Sequence, residues 1–422
     1  MKVTGIIAEY NPFHNGHAYH IKQAKELTNA DYIVIIMSGD YVQRGTPAIV
    51  DKYKRAEMAL HCGADLVLEL PCAFACASAE FFAEGSIGIL DDLGCVDTIC
   101  FGAETADTSM LSSIAKQLLY ETETFKNHLN QFLSNGFTYP KARSEALLLS
   151  FPQEKRQLYE SILETPNNIL GIEYLKAIKR RHSFISAVPI PRVDSGYHDT
   201  TLLENHFSSA TAIRKLLKES TSSSLSFHTL KGQMPFPALS LLTELHSPSS
   251  LLFEDDFSSL LQLRLLEENE YTSYLDVGSE LSNRIKQLVS PDLSFTELAK
   301  KLKSRQYTFT RIQRALLHIL LDIKTEQMQR YKQNDFHSYA RILGFKKSCI
   351  PLLKEIRRTS SIPIIQQPAK DSSLLSPVAN ELFSLDRKAH RLYEMVRCQK
   401  YHLPYQEEWS KKPLILEQTS SL

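Results

Sequence analysis

Two histidines three residues apart, His14 and His17, with Gly16 between them, are the residues of this chain whose type and spacing point most directly to chemistry. They stand in the segment T-G-I-I-A-E-Y-N-P-F-H-N-G-H-A-Y-H, Thr4 to His20. Paired imidazoles can donate hydrogen bonds to phosphate oxygens as charge builds up during a displacement. The tetrapeptide H-x-G-H alone is short, and it also fits a pair of loop histidines or half of a metal site. Its setting favours the first reading. Val3 to Ala8 has the length and β-branched content of a buried strand. A polar turn breaks it at Asn11-Pro12, and Ala18, Ile21, Ala24 and Leu27 then share one face of a helix that starts at about His17. A junction of this kind turns free N–H groups and the positive end of a helix dipole toward an anion. A motif counts when its predicted setting accompanies it, so a nucleotide site is expected here.

Further residues could join it. Ser38-Gly39-Asp40, followed by Gln43-Arg44-Gly45, forms a loop after a second predicted strand. There Gly39 would permit close backbone approach, and Asp40 could bind a hydroxyl, a metal ion or an attacking group; a plain turn fits each residue equally well. Pro166-Asn167-Asn168 opens a helix. One asparagine suffices as its N-cap, which leaves the other for a ligand. Phe207 to Arg214 (F-S-S-A-T-A-I-R) places hydroxyls in the first turn of a helix and an arginine one turn later, a second candidate phosphate site built on Thr211 and Arg214. A G-x-x-x-x-G-K-[ST] sequence is absent, and no serine-protease or zinc-protease pattern stands out. Cys72 and Cys76 read as small buried residues rather than metal ligands.

The elements that must hold these groups follow from periodicity. Tyr32–Met37, Ala64–Leu70, Thr98–Phe101 and Phe184–Ile190 are further strand candidates separated by helical stretches. Such alternation predicts an α/β domain with a parallel sheet covered on both faces. Ligands bind beyond the carboxyl ends of such strands, so His14, Ser38-Gly39-Asp40, Gly102 and Arg192 should converge on one crevice. Twelve of the 15 glycines lie at or before Gly196, and the later chain turns helical, with Ile312–Ile323 the strongest apolar face. The expected organisation is a catalytic domain over residues 1–220, a Ser-rich linker over 221–240, a mainly α-helical domain over 241–400 and a polar, disordered tail over 401–422.

Composition bounds the function. With 422 residues, 43% hydrophobic and 23% charged, the chain can bury a large core. No apolar run approaches the roughly 20 residues that span a bilayer, and the opening M-K-V-T-G-I-I-A-E is too short in apolar content to be expected as a signal peptide. Seven cysteines without a C-x-x-C pair suggest reduced thiols and a cytoplasmic location. Net charge is zero but uneven. Residues 241–300 hold 4 Lys and Arg against 11 Asp and Glu, whereas residues 301–360 hold 14 against 4. The basic block could follow a phosphate backbone or pair with the acidic one.

H-N-G-H with S-S-A-T-A-I-R resembles the H-x-G-H nucleotidyltransferase superfamily, which implies a Rossmann-like sheet for the N-terminal domain. The set G-I-I-A-E-Y-N-P-F-H-N-G-H, M-S-G-D-Y-V-Q-R-G, P-N-N-I-L-G-I-E-Y and S-A-T-A-I-R, with Y-A-R-I-L-G-F at Tyr339 to Phe345, is similar to the bacterial tRNA(Met) cytidine acetate ligases over most of the chain. The resemblance implies an ATP-dependent ligase. It would activate acetate as acetyl-adenylate, release pyrophosphate, and acetylate the exocyclic amine of the wobble cytidine in elongator tRNA(Met). ATP would be co-substrate with Mg²⁺ neutralising its triphosphate; no carboxylate cluster marks a protein-held metal. By the same resemblance the nucleotide would be lined by Ile7, Ala8, Glu9, Tyr10, Asn11, Pro12, Phe13, His14, Asn15, Gly16, His17, Ala18, Tyr19 and His20. Gly102 would leave it room, Asn167 and Arg192 would contact it, and Thr211 with Arg214 would close the phosphate side. His14 and His17 would be catalytic, with Asp40 near the acetyl or cytidine end. Arg311, Arg314, Lys346, Lys347, Arg357 and Arg358 are the expected tRNA contacts. The alternatives are an adenylyltransferase acting on a small phosphorylated metabolite, which leaves the helical half unexplained, and an RNA-binding scaffold with a regulatory nucleotide site.

Overall fold

The computed structural model describes residues 1–192, 209–219, 229–245 and 251–417. Phe207 and Ser208 of the second phosphate motif, the whole Ser-rich stretch 220–226, and residues 418–422 of the tail lie outside them.

The first half folds as its periodicity requires. Strands β1 (Val3–Ala8), β2 (Tyr32–Ser38), β5 (Leu66–Leu70), β6 (Thr98–Ala103) and β7 (Ser186–Pro191) form a parallel sheet in the order β5-β2-β1-β6-β7. Successive side chains of β2 enter opposite layers: Val34 and Ile36 pack into one core, Ile33 and Ile35 into the other. The helix Asn15–Thr28 lies in the second layer, and the helices Ala79–Asp92 and Pro166–Arg180 lie in the first. Between β2 and β5 a two-stranded hairpin, β3 (Tyr41–Val42) with β4 (Thr46–Pro47), projects from the carboxyl edge. Its turn residue Gly45 has φ +76°, and a Cβ there would stand 2.3 Å from the backbone nitrogen of Arg314. Glycine is needed on both counts.

The later half is mainly helical but returns to the same sheet. Strand β8 (Ala340–Lys346) pairs antiparallel with β5; β9 (Ile364–Ile365) and β10 (Leu414–Leu416) pair parallel with β8. The expected boundary at 221–240 is therefore not a boundary of the sheet. The described part of that segment is not an exposed linker either, because Leu230, Met234 and Ala238 are buried in the second layer. Described tail residues also pack: Glu408 is buried and Leu414–Leu416 forms β10.

A buried ionic cluster fastens the halves together. The Lys52 ammonium lies 2.6 Å from both Glu69 Oε1 and Glu408 Oε1, and 3.9 Å from Asp40 Oδ2. Arg341 on β8 reaches Glu408 at 2.9 Å and Glu69 at 3.5 Å. His390, on the long helix Pro377–Tyr401, meets Asp40 Oδ2 at 2.6 Å. Charges this deep persist only when paired, and here each has an opposite partner.

Candidate functional site

A cavity of about 240 Å³ opens at the carboxyl ends of β1, β6 and β7, where the topology calls for a ligand. It is lined by Ile7, Ala8, Glu9, Tyr10, His14, Gly16, His17, Tyr19 and His20 of the N-terminal motif. Gly102, Asn167, Arg192, Thr211 and Arg214 reach it as well. The sheet thus unites motifs some 200 residues apart.

The other motif residues build the site from behind. Asn11 is buried; its Oδ1 accepts from the Ile49 amide at 2.9 Å, and its carbonyl accepts from Arg214 at 2.7 Å. Pro12 and Phe13 are buried, with the Phe13 ring against Tyr10 and His17. Ala18 packs against the second core layer. Asn15 anchors the helix start, its amide donating to Gln233 O at 3.0 Å and its side chain to Gly232 O at 2.6 Å. These five residues are not among the cavity lining.

His14 is the N-cap of the first helix, one residue short of Asn15. Its Nδ1 accepts from the Gly16 amide at 3.1 Å, and His17 Nδ1 accepts from the His14 amide at 3.2 Å. An Nδ1 that accepts leaves the proton of a neutral ring on Nε2. Both rings are neutral at physiological pH. Burial, then Arg192 and Arg214, lowers the His14 pKa to about 3; burial and the neighbouring His14 hold His17 well below the usual histidine range. The rings stack with centroids 3.7 Å apart. His20 is lowered to about 4 by burial and Arg192, and its buried Nε2 has no hydrogen-bond partner among the described residues. The site therefore holds fixed guanidinium charge beside uncharged imidazoles that still donate, a combination suited to a polyphosphate.

Thr211 Oγ1 accepts from Arg214 at 3.1 Å, which joins the two residues of the second motif. Asn167 and Asn168 divide their tasks, though neither is the N-cap; that position is Thr165, with Pro166 following. Asn168 is fully buried and accepts from the Thr105 amide at 3.0 Å, while Asn167 lines the cavity and donates to Glu104 at 2.5 Å. A Cβ on Gly102 would have Arg192 Cγ, 3.6 Å away, as its nearest neighbour, so the missing side chain leaves cavity space.

Asp40 sits at the carboxyl end of β2 as its position implies, but it does not line the cavity. It is buried, with Oδ1 accepting from the Lys52 amide at 3.0 Å and Oδ2 engaged by His390. His390 and Lys52 hold its carboxyl at about 2 in spite of burial. A carboxylate held in this way is a structural anion rather than a group in the reacting space. Gly39 likewise makes room for Glu69, whose Oε1 would lie 2.5 Å from a Cβ there, and not for a ligand.

Sequence reasoning passed over several lining residues. Gln43 and Arg44, named in the sequence only as part of a loop, reach the cavity from the hairpin turn, and the Gln43 amide donates to Glu9 Oε1 at 2.9 Å. Phe82, Phe101, Leu170 and Tyr174 form an aromatic and apolar wall. Arg55, fully buried, donates to the carbonyls of Glu9 at 2.6 Å, Ser38 at 3.1 Å and Gly39, tying the ends of β1 and β2 together. Among the described residues no group of three or more His, Cys, Asp or Glu could hold a metal ion.

Known proteins give the same reading of the whole chain. Residues 1–408 match the family described as HIGH Nucleotidyl Transferase. The chain is 39% identical over 418 residues to a tRNA(Met) cytidine acetate ligase of Clostridium novyi, covering 99% of this chain and 100% of that one. It is 40% identical over 405 residues to the Acetivibrio thermocellus protein of that name, covering 94% and 95%. Two crystal structures of Thermotoga maritima TmcAL superpose on it at 30% identity, each covering 99% of this chain and 100% of that one. The apo form has a TM-score of 0.92, and the form bound with alpha-thio ATP 0.89.

Proposed function

Because the chain belongs to the tRNA(Met) cytidine acetate ligases among the HIGH nucleotidyl transferases, we propose that it couples ATP cleavage to acetylation of the wobble cytidine of elongator tRNA(Met). In the first step an acetate oxygen attacks the α-phosphorus, and the bond to the β-phosphate oxygen breaks. Acetyl-adenylate forms and pyrophosphate leaves with the electron pair. In the second step the exocyclic amine of cytidine attacks the acetyl carbonyl carbon. AMP departs and the nitrogen loses a proton to solvent. Acetate is a poor acyl donor, and the mixed anhydride supplies its leaving group.

The site residues fit these steps as positioners and charge stabilisers, which is what in-line phosphoryl displacement requires. His14 and His17 offer Nε2–H donors to the phosphate oxygens, Arg214 with Thr211 holds the departing pyrophosphate, and Arg192 with Asn167 holds the nucleotide. Their neutral, stacked imidazoles beside two arginines are the observation that carries the reading. Mg²⁺ would arrive on the triphosphate, since the described residues offer it no carboxylate cluster. A weakly nucleophilic base amine must be turned out of its stack to reach the cavity.

No helix among the described residues is long and apolar enough to cross a membrane. The seven cysteines are free thiols, which supports a cytoplasmic site of action. The test is transfer of radiolabelled acetate to bulk bacterial tRNA with and without ATP. Wild type should label tRNA only with ATP, and His14→Ala should lose the label. Absence of label, with ATP–pyrophosphate exchange driven instead by a phosphorylated metabolite, would overturn the proposal.

A further inference from the structure

The basic block of residues 301–360 does not form one surface. Lys346, Lys347, Arg357 and Arg358 lie at the wrong end of the sheet. β8 runs against β5, so the Lys346 amide bonds to the Asp65 carbonyl at the amino end of that strand. The cavity opens at the opposite, carboxyl ends, about 16 Å away by the rise of a five-residue strand. The helix Ile350–Thr359 stays at that far edge, where Thr359 bonds to Leu93 O ahead of β6. Three of these four cations also have a carboxylate: Lys346 has Asp65, Lys347 has Glu417 and Arg358 has Glu355. Arg314 is committed to Asp276 at 3.1 Å.

A different cluster is left. From Lys300 to Arg311 the chain carries Lys300, Lys301, Lys303, Arg305 and Arg311 and not one carboxylate. The first four are exposed, and none of the five has a carboxylate within 4 Å among the described residues. Arg284 braces the turn, donating to Leu302 O at 2.9 Å, and Arg311 lies over the Tyr307 ring at 5.0 Å. Lys301 and Arg311 feel Glu297 and Asp276 at longer range, but solvated faces usually mix signs, and five cations in twelve residues with no carboxylate among them mark an anion-binding surface. Its place connects it to the chemistry. Arg311 is one helical turn before Arg314, whose backbone abuts Gly45, and the two residues preceding Gly45, Gln43 and Arg44, line the cavity.

We propose that the Lys300–Arg311 turn is the backbone clamp for the anticodon arm, set beside the hairpin so that the arm's unstacked base enters the cavity past Gln43 and Arg44. The proposal rests on the tRNA reading above. Counterion release predicts its signature, a salt slope that shrinks by about 0.7 for each phosphate the protein no longer neutralises.

The experiment compares two variants of the full chain: Lys300→Ala/Lys301→Ala/Lys303→Ala/Arg305→Ala at the clamp, and Lys347→Ala/Arg357→Ala/Arg358→Ala at the far edge. Filter binding of tRNA over a salt series and acetate-dependent ATP–pyrophosphate exchange without tRNA are the readouts. The clamp variant should bind tRNA roughly 10- to 100-fold more weakly, with a slope lower by about 3, and keep its exchange rate. The far-edge variant should match wild type in both. Loss of tRNA binding at the far edge but not the clamp, or no change in either, would overturn the clamp. Exchange lost along with binding in the clamp variant would also overturn it, as a folding or active-site defect. Wild type that supports exchange yet binds no tRNA would instead remove the tRNA reading itself.

Discussion

Lys52→Met tests how the catalytic half and the later chain are held together. Lys52 is fully buried and touches two carboxylates at 2.6 Å, with a third at 3.9 Å. Methionine nearly conserves the volume, so the loss is electrostatic. It leaves Asp40, Glu69 and Glu408 facing only Arg341 and His390, and one buried negative charge goes uncompensated. An exposed pair would cost under about 1 kcal/mol; breaking a buried one costs about 3–5 kcal/mol. Urea unfolding at pH 7.5 should register that loss with an unchanged m-value. Adding Glu408→Gln removes the surplus charge and should recover part of it, a coupling of about 1–3 kcal/mol. Acidification gives a further handle. Asp40 and Glu408 are depressed below the ordinary carboxylate range, so their stabilisation is present above about pH 4 and lost as pH falls. The variant's freed carboxylates rise instead, and its deficit against wild type should narrow between pH 7 and pH 5. A loss below about 1 kcal/mol, or a double variant worse than the sum of the singles, would refute the reasoning.

Gly45→Ala should destabilise by about 2–4 kcal/mol, since it joins a left-handed backbone penalty to a clash with a helix backbone that cannot swing aside; thermal unfolding of Gly45→Ala checks this, and an unchanged Tm would contradict the packing described. With His14 at about 3 and His20 at about 4, acetate-dependent exchange at low ATP should show no histidine inflexion between pH 6 and 8. An inflexion near 6.5 that vanishes in His14→Ala would mean the ring is charged in the free enzyme. The same depression makes these histidines a liability in acid: the unfolded chain binds protons below about pH 6.5 while the folded one does not, so stability falls as pH drops from there toward 4.

Much of this was legible in the residues. The five parallel strands lie where short apolar runs place them, within two or three residues at each end, and the crevice gathers His14, Gly102 and Arg192 as the sheet rule requires. Strand β8 was not, because its run A-R-I-L-G-F-K carries a buried arginine and a glycine, both of which normally argue against a central strand. Arg341 is tolerated there by Glu408 and Glu69, and Gly344 by the nearness of Leu60 and Leu414, partners remote in sequence. Phe82 and Tyr174 escaped for the opposite reason: they belong to apolar helix faces whose pattern is that of ordinary core. Asp40 shows the limit of position as a guide. Being at the right end of the right strand brought it to the site's edge, and the Lys52 amide together with His390, 350 residues later, decides where its carboxylate goes.

Strand β8 also sets an order of events during synthesis. The edge of β5 that it covers is made some 276 residues earlier, so at 5–20 residues per second a growing chain carries that edge bare for roughly 15 to 55 s. The exposed sequence, L-V-L-E-L, is apolar and β-prone, the kind of edge that pairs with a neighbouring chain. A fragment ending near residue 220 would keep every residue that lines the cavity and still lack the strand that closes its sheet. Such a fragment should be recovered as aggregate, and nascent chains on a polysome should depend on a chaperone until Lys346 has emerged.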